Sequence, residues 1–218
     1  MPCHSAPLVD SYSQYGEDLI IDAVLGCPSH GRFVDIGAND PVIFNNTKRF
    51  SLRGWTGINV EPNPTVFRRI VENRPDDVTL NLGVGSTEGV LKFYQLDPDT
   101  LSSFDEATAR GNAQEYPGAS ILATLDVQVV TLQSILESSV VAGHDVVDFL
   151  SIDVEGSELT ALQSNDWELF RPRCIMIEVN RSGDQIDAFL AGAGYENAWC
   201  NGTNALFVDT RGEWAHSA

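Results

Sequence analysis

Two short apolar stretches, each leading into a glycine or a carboxylate, constrain the fold of this chain more than any other feature. The first, 31–39, reads Gly-Arg-Phe-Val-Asp-Ile-Gly-Ala-Asn, and the second, 57–64, reads Gly-Ile-Asn-Val-Glu-Pro-Asn-Pro. Apolar runs of this kind are typical of buried parallel strands, which present polar groups at their C-terminal edge. Ligands of open α/β sheets bind at that edge, so the two stretches together predict a nucleoside-binding crevice.

Strand and helix patterns alternate along the rest of the chain. The pattern predicts strands at 33–37, 57–61, 78–84, 89–94, 126–130, 146–152, 174–179, 195–200 and 204–209. It predicts helices at 13–25, 45–52, 64–73, 131–139 and 184–191, and another that begins at Ser157. The turn Asn201-Gly-Thr203 predicts a hairpin between the last two strands. This order indicates an α/β protein with a mostly parallel sheet, helices on both faces and an antiparallel last strand.

The length of the chain suits one domain. We place it at residues 13–210 of the 218, with an N-terminal tail at 1–12 and a C-terminal tail at 211–218. Within it, the segment 97–124 has weak periodicity and is rich in Asp, Ser, Thr, Ala, Gly and Pro. Long irregular segments in compact domains are often functional. We therefore predict a lid or insertion at 97–124, where recognition of the acceptor would lie.

The charge balance limits the kinds of partner. The chain has 13 Lys and Arg residues against 31 Asp and Glu residues, a formal net charge of −18, which would repel a nucleic-acid backbone or an anionic membrane. It shows no signal-peptide pattern and no membrane-spanning apolar window. Its four cysteines have no CxxC spacing, so reduced thiols are expected. We expect a cytoplasmic protein with no nucleic-acid partner and no membrane insertion; its oligomeric state is not indicated.

The glycines after the first strand discriminate between nucleoside cofactors. A dinucleotide site would carry Gly-x-Gly-x-x-Gly, whereas the run 37–42 keeps only the first glycine, Gly37. A cofactor with a ribose but no pyrophosphate needs fewer glycines, yet still needs an acid after the second strand for the ribose hydroxyls. Glu61 lies about 24 residues after Gly37, close to the roughly 20 residues expected for such an acid. S-adenosylmethionine meets these demands.

A second group of carboxylates follows a later strand, in Asp153-Val-Glu-Gly-Ser-Glu158. Asp153 would lie at the cofactor edge and Glu155 at the mouth of the crevice. Either would orient the cofactor's ammonium group or act as a general base toward a hydroxyl. The alternative is that these acids only stabilise a helix N-terminus. Glu178, which ends the next strand, would share a divalent cation such as Mg²⁺ with Asp153, although such pairs are often only solvated.

Six motifs in a fixed order resemble those of FkbM-type S-adenosylmethionine-dependent methyltransferases. They are Ser13-Gln-Tyr-Gly-Glu-Asp18, Phe33-Val-Asp-Ile-Gly-Ala-Asn39, Asn46-Thr47, Gly54-Trp-Thr-Gly57, Glu61-Pro-Asn-Pro64 and Asp148-Phe-Leu-Ser-Ile-Asp-Val-Glu-Gly156. The resemblance extends from about Ser13 to Val208. It implies a class I methyltransferase (Rossmann-like) fold with a seven-stranded sheet, and methylation of a sugar or other hydroxyl.

The resemblance also implies roles for single residues. Those on the methionine side of the cofactor would be Asp35, Gly37 and Asn39, and those at the ribose would be Glu61 and Asn63. Gln14 and Asn46 would make secondary contacts, and Asn81 would lie near the adenine. The chain departs from the family pattern near Asn81, because it has Gly83 where alanine is usual.

Together these observations predict an S-adenosylmethionine-dependent O-methyltransferase acting on a hydroxyl of a sugar, glycan or glycosylated small molecule, with Asp153 and Glu155 as its catalytic residues. One alternative is a non-catalytic module that keeps the methyltransferase fold for binding within a larger assembly. A NAD-dependent oxidoreductase is a weaker alternative, since the second and third glycines are missing.

Overall fold

The computed structural model describes residues 11–141, 147–180 and 182–212, so most of the two predicted tails lies outside it. The strands are β1 (Arg32–Ile36), β2 (Thr56–Val60), β3 (Val78–Leu80), β4 (Gly83–Val84), β5 (Gly89–Asp97), β6 (Ser120–Val130), β7 (Phe149–Ile152), β8 (Cys174–Glu178), β9 (Tyr195–Cys200) and β10 (Asn204–Asp209). The helices are α1 (Glu17–Val24), α2 (Lys48–Ser51), α3 (Pro64–Asn73), α4 (Glu106–Glu115), α5 (Leu132–Val141), α6 (Glu158–Gln163) and α7 (Gly183–Gly192).

Seven strands form the central sheet, in the order β3-β2-β1-β7-β8-β10-β9. The pairs β1–β2, β2–β3, β1–β7 and β7–β8 are parallel, whereas β10 is antiparallel to both β8 and β9. This arrangement confirms the predicted fold class, including the antiparallel last strand and the closing hairpin. The strand order reverses between β1 and β7, because β2 and β3 lie on one side of this pair and β8, β10 and β9 lie on the other. Ligands of such sheets bind at the carboxyl ends of the strands where the order reverses.

The core lies on both faces of this sheet. On one face, Leu150 of β7 and Ile175 of β8 pack with apolar residues of α5, α6 and α7. On the other face, Phe149 packs with Ile21 of α1 and Phe50 of α2. Every residue of β7 and β8 is buried, because helices cover both faces. Helices on both faces are therefore confirmed.

The predicted lid at 97–124 is not irregular, and this is the main correction to the fold. A 3₁₀ turn at Asp99–Leu101 and helix α4 lie between β5 and β6, which form an antiparallel ribbon. A second sheet, in the order β4-β6-β5, includes both strands. The predicted strand 78–84 is accordingly divided, because β3 belongs to the central sheet and β4 to the second. The sequence pattern does not reveal helix α4, because its sequence, Glu-Ala-Thr-Ala-Arg-Gly-Asn-Ala-Gln-Glu, has no apolar stripe.

Two further findings concern the cysteines and the membrane. Cys27 is disulfide-bonded, whereas Cys174 and Cys200 are free thiols, so the expectation of reduced cysteines is wrong at Cys27. Pairing depends on spatial approach, which spacing along the sequence does not reveal. A disulfide is more usual in an oxidising compartment than in the cytoplasm, and a cytoplasmic location stays a prediction. Among the helices of the described residues, none is both long and apolar enough to cross a membrane.

Candidate active site

A cavity of about 620 Å³ opens at the carboxyl ends of the central strands. Its lining includes Gly37, Glu61, Asp153 and Glu178, which lie at or just after the ends of β1, β2, β7 and β8. Residues 99–104 of the second sheet's connection line it as well. A cavity of this size holds a small-molecule ligand. The crevice predicted from the two opening sequence stretches is therefore present at the predicted edge.

Gly37 lies where the carboxyl ends of β1, β2 and β7 come together. Its backbone N–H donates to the carbonyl of Val60 over 2.9 Å, and the N–H of Asp153 donates to the carbonyl of Ile36 over 3.0 Å. Gly37 has φ +81°, and a Cβ added to it would lie 1.8 Å from the carbonyl oxygen of Asp153. Glycine is therefore required here for two reasons: the backbone is left-handed, and the backbone of Asp153, just after β7, leaves no room for a side chain.

Glu61 is held in one orientation by backbone donors. The N–H of Asn39 donates to Oε2 over 3.0 Å, and the N–H of Asn63 donates to Oε1 over 2.7 Å. Each carboxylate oxygen keeps a further lone pair for a ligand donor, which suits a ribose with two adjacent hydroxyls. Burial raises the pKa of Glu61 to about 7, because the ionised form is desolvated.

Asp35 lines the cavity and belongs to a network of buried polar side chains. The hydroxyl of Thr47 donates to Oδ2 of Asp35 over 3.0 Å, and Arg74 donates to that hydroxyl over 3.2 Å. Arg74 in turn forms a fully buried ion pair with Asp77. Burial raises the pKa of Asp35 to about 6, while the hydrogen bond from Thr47 and the charge of Arg74 oppose the rise. Thr47 and Arg74 thus favour the ionised form of Asp35 at neutral pH.

Three carboxylates converge on one side of the cavity. One oxygen from each of Asp153, Glu155 and Glu178 lies within 4.8 Å of the others. Glu155 has φ +51°, an uncommon backbone for a residue other than glycine, and its carbonyl accepts a hydrogen bond from Ser103 over 3.0 Å. The amide of Asn180 donates to Glu178 over 2.7 Å. The second sheet's connection therefore helps to hold this cluster, through Ser103.

Burial raises the pKa of Asp153 to about 8, and the charges of Glu155 and Glu158 act in the same direction. The Asp153 side chain is exposed to the cavity, so water there offsets part of the burial. Glu158 is itself buried and accepts hydrogen bonds from the N–H groups of Val154 and Gly156. Glu158 thus lies in the first turn of α6, where the alternative for these acids places it, and its contacts hold the loop before the helix, whereas Asp153 and Glu155 line the cavity.

The structure brings most of the predicted site residues together. Those that line the cavity are Gln14, Asp35, Gly37, Asn39, Asn46, Glu61, Asp153, Glu155 and Glu178. Asn63 and Asn81 do not line it. The Asn63 side chain instead caps α3, accepting from the N–H of Thr65 over 3.0 Å, and Asn81 donates to the carbonyl of Glu61 over 2.8 Å. Contact of either residue with the cofactor stays a prediction, and the contacts that the structure shows for both are with Glu61.

Sequence reasoning missed three supporting residues. Asn45 is buried and donates to the carbonyls of Ala38 and Asp40, which closes the loop after β1. Arg74 and Glu17 are also buried, and neither lines the cavity. Arg74 donates to the hydroxyl of Thr47, and Glu17 accepts from the N–H of Tyr15. In the sequence, Glu17 belongs to the first of the six motifs, but that motif assigns it no role of its own. A buried charge has no signature in a single sequence, so nothing there could have identified Arg74.

The carboxylate cluster fits a hard divalent cation. Mg²⁺ and Ca²⁺ prefer oxygen ligands, and three carboxylate oxygens this close repel one another unless a proton or a cation lies among them. Asp153, Glu155 and Glu178 would be the ligands. Glu155 therefore joins the two residues that the sequence suggested as metal ligands.

The comparison with protein families settles what kind of protein this is. The model of the methyltransferase FkbM domain matches residues 35–196, which include the cavity residues from β1 to Glu178. The chain belongs to the FkbM methyltransferase family. This FkbM methyltransferase is an S-adenosylmethionine-dependent enzyme with the class I fold. A search of curated proteins finds no match.

Solved structures with the same fold are distant in sequence. The METTL16 methyltransferase domain is 13% identical, with a TM-score of 0.53, and the match covers 94% of this chain and 71% of that one. A TehB-like S-adenosylmethionine-dependent methyltransferase from Corynebacterium glutamicum is 12% identical, with 91% and 89% covered and a TM-score of 0.44. Aeropyrum pernix fibrillarin, solved with S-adenosylmethionine bound, is 12% identical, with 94% and 84% covered and a TM-score of 0.40. The METTL16 domain supports the fold alone.

Proposed function

We propose that this FkbM methyltransferase methylates a hydroxyl oxygen of a sugar, a glycan or a glycosylated small molecule. The observation that carries the proposal is the convergence of Asp153, Glu155 and Glu178 in the cavity that also contains Gly37 and Glu61. A neutral hydroxyl is a weak nucleophile and gains reactivity when a carboxylate accepts its proton. Carboxylates also bind the neighbouring hydroxyls of a sugar, which places the reacting one.

The positions of the cavity residues support a role for each of them in this proposal. S-adenosylmethionine would supply an electrophilic methyl group on a sulfonium. Glu61 would accept hydrogen bonds from its ribose hydroxyls, and Asp35 would lie beside its methionine part. Asp153, or Glu155 next to it, would accept the acceptor's proton as the oxygen bonds to the methyl carbon and the carbon–sulfur bond breaks. Alignment in one cavity would provide most of the acceleration.

The raised pKa of Asp153 suits the role of a base that works near neutral pH. A bound sulfonium or a divalent cation would favour its ionised form, because opposite charge stabilises the carboxylate. We further propose Mg²⁺, held by Asp153, Glu155 and Glu178, as a second means of activating and orienting the hydroxyl. When bound, such a cation polarises the hydroxyl oxygen and neutralises developing charge.

The cavity's charge supports a small uncharged acceptor and opposes a nucleic acid. Seven Asp and Glu residues line it, whereas Arg69 is the one cationic residue in the lining of the described structure. Arg69 already pairs with Asp99 over 3.1 Å and lies 3.7 Å from Asp40. A phosphodiester backbone would find no available counter-charge there.

The test is methyl transfer from labelled S-adenosylmethionine to panels of glycosides and glycans. Asp153→Asn and Glu155→Gln should each lower kcat by about 10²-fold or more if the residue is the base, with binding of S-adenosylhomocysteine retained. Asp184→Asn, an exposed change on α7, is the matched control. Normal turnover by both Asp153→Asn and Glu155→Gln would contradict the base, and full activity with a chelator present would exclude the metal. Absence of S-adenosylhomocysteine binding would contradict the whole proposal.

A further inference from the structure

Four large apolar side chains are exposed among the residues that line the cavity. Tyr15, Ile43, Phe44 and Tyr116 all belong to the cavity lining, yet they are 56%, 61%, 64% and 50% exposed. We call these four the rim. They come from three separate segments: the loop before α1, the loop after β1, and the end of α4. Apolar side chains scattered singly over a surface need no explanation, but a group that lines a single cavity indicates a binding surface.

The loop that carries Ile43 and Phe44 is fixed in place. The Asp40 carboxylate accepts from the N–H groups of Val42 and Ile43, each over 2.9 Å. Asn45 closes the loop from the other end by donating to the carbonyls of Ala38 and Asp40. Phe44 has φ +55°, which is uncommon for a bulky residue and is found where the surrounding structure imposes it. The exposure of Phe44 is therefore built into the loop.

The other two rim segments are fixed in the same way by buried polar residues. The fully buried Glu17 accepts from the N–H of Tyr15 over 2.8 Å and from the amide of Asn204 over 2.6 Å. The side chain of the buried Asn112 donates to the carbonyl of Leu101 over 3.0 Å, and its backbone carbonyl accepts from the N–H of Tyr116 over 3.1 Å. All three segments therefore present apolar groups from ordered backbone, which lowers the cost of binding.

We infer that the rim recognises the acceptor, and that the acceptor is an uncharged glycoside with an apolar aglycone. This inference rests on the proposed function, because the sugar hydroxyl must reach Asp153, Glu155 and Glu178. Tyr15, Phe44 and Tyr116 offer ring faces to an apolar group, and Ile43 adds aliphatic surface. The acidic lining with its ion-paired Arg69 disfavours a phosphorylated sugar. The rim thus sets specificity, whereas the carboxylate cluster performs the chemistry.

Three probes separate the effects of the apolar aglycone, the sugar and a phosphate group on binding. They are phenyl β-D-glucopyranoside, glucose and glucose 6-phosphate. Each is titrated by ligand-observed NMR into protein saturated with S-adenosylhomocysteine. The phenyl glucoside should bind about tenfold more tightly than glucose, as burial of one ring would give, and glucose 6-phosphate should bind most weakly. Equal affinity of the phenyl glucoside and glucose, no binding of the phenyl glucoside, or tightest binding of glucose 6-phosphate would each overturn the inference.

Variants assign the preference to the rim. Phe44→Ala and Tyr116→Ala should each remove most of the advantage of the phenyl glucoside over glucose and leave the affinity for S-adenosylhomocysteine unchanged. Phe44→Gly should do the same while raising the melting temperature, since glycine accepts the left-handed backbone, and this separates lost recognition from misfolding. Leu169→Ala, a change of an exposed apolar residue outside the cavity lining, is the control.

The two proposals fail in different ways. If the protein binds S-adenosylhomocysteine but the Phe44 and Tyr116 variants keep the full preference for phenyl glucoside over glucose, the rim does not recognise the acceptor. The proposed methyltransferase function would be unaffected by that result. Protein that does not bind S-adenosylhomocysteine refutes the proposed function itself.

Discussion

Glu61 illustrates how much one side chain depends on its neighbours. Its carboxylate is oriented by two backbone N–H groups, those of Asn39 and Asn63, before any ligand arrives. Asn39 has φ +47°, a backbone that asparagine adopts more readily than most residues. The acidic residue after β2 is thus presented to the cavity by the loop after β1.

Glu61→Gln should weaken binding of S-adenosylhomocysteine by about 10²-fold. The amide is uncharged, and its NH₂ group cannot accept a hydrogen bond from a ribose hydroxyl as a carboxylate oxygen does. Calorimetry measures this directly. Glu72→Gln, an exposed change on α3, should leave the affinity unaltered. Equal affinities of Glu61→Gln and the unaltered protein would show that the ribose lies elsewhere.

Binding should also depend on pH through Glu61. Its pKa of about 7 means that the carboxylate gains a proton as the pH falls below neutrality, and a protonated group accepts ribose hydrogen bonds less well. We expect the affinity for S-adenosylhomocysteine to fall between about pH 8 and pH 6. A titration series in that range that shows constant affinity would contradict this assignment.

Gly37→Ala should destabilise the fold severely. The new Cβ would lie 1.8 Å from the carbonyl oxygen of Asp153, so β1 or the strand end after β7 would have to move. Gly54→Ala is a matched control, because Gly54 has a similar φ of +87° and nothing within 4 Å of its added Cβ. The control should cost about 1–2 kcal/mol from backbone strain alone, and Gly37→Ala clearly more. Denaturant unfolding compares the two, and equal losses would refute the steric argument.

At the scale of secondary structure, the sequence predicted what depends on apolar periodicity and missed what does not. The runs 33–36 and 149–152 are nearly all apolar and became the buried strands β1 and β7. Helix α4 has no such run: its N-cap Asp105 accepts from Thr108, and it buries only Ala109 and Asn112. The strand-end acids were predictable for the same reason as the strands. Asn45, Arg74 and Glu17 act through tertiary contacts, which leave no local pattern.

Asn63→Ala tests the role of one element, helix α3. The Asn63 side chain caps that helix and does not line the cavity, so its loss should cost about 1 kcal/mol of unfolding free energy. The affinity for S-adenosylhomocysteine should fall much less than in Glu61→Gln, because the N–H of residue 63 still donates to Glu61. Calorimetry and denaturant unfolding on the same samples measure both quantities. A large loss of affinity with unchanged stability would instead indicate the direct cofactor contact that the sequence suggested.

For the whole molecule, the burial of carboxylates at the cavity opposes folding at high pH when no ligand is bound. The pKa values of Asp35, Glu61 and Asp153 are raised to about 6, 7 and 8. Each group therefore binds its proton more tightly in the folded chain than in the unfolded chain. The contribution of this proton binding to the free energy of unfolding is fully present below about pH 4 and is lost as the pH rises toward 8.

The melting temperature of the ligand-free protein should therefore fall as the pH rises from about 5.5 to 8.5. S-adenosylmethionine, whose sulfonium is cationic, should raise it more at pH 8 than at pH 6. Asp153→Asn should flatten the pH profile, which separates this effect from titration elsewhere. A melting temperature that rises with pH over this range would contradict the electrostatic account.

The position of β1 between β2 and β7 has a kinetic consequence. β2 follows β1 after a short connection, whereas more than a hundred residues lie between β1 and its other neighbour, β7. Pairings between distant parts of a chain form slowly. The cofactor crevice needs both neighbours of β1, so the ability to bind S-adenosylhomocysteine should emerge late during refolding, after most of the helical signal has returned.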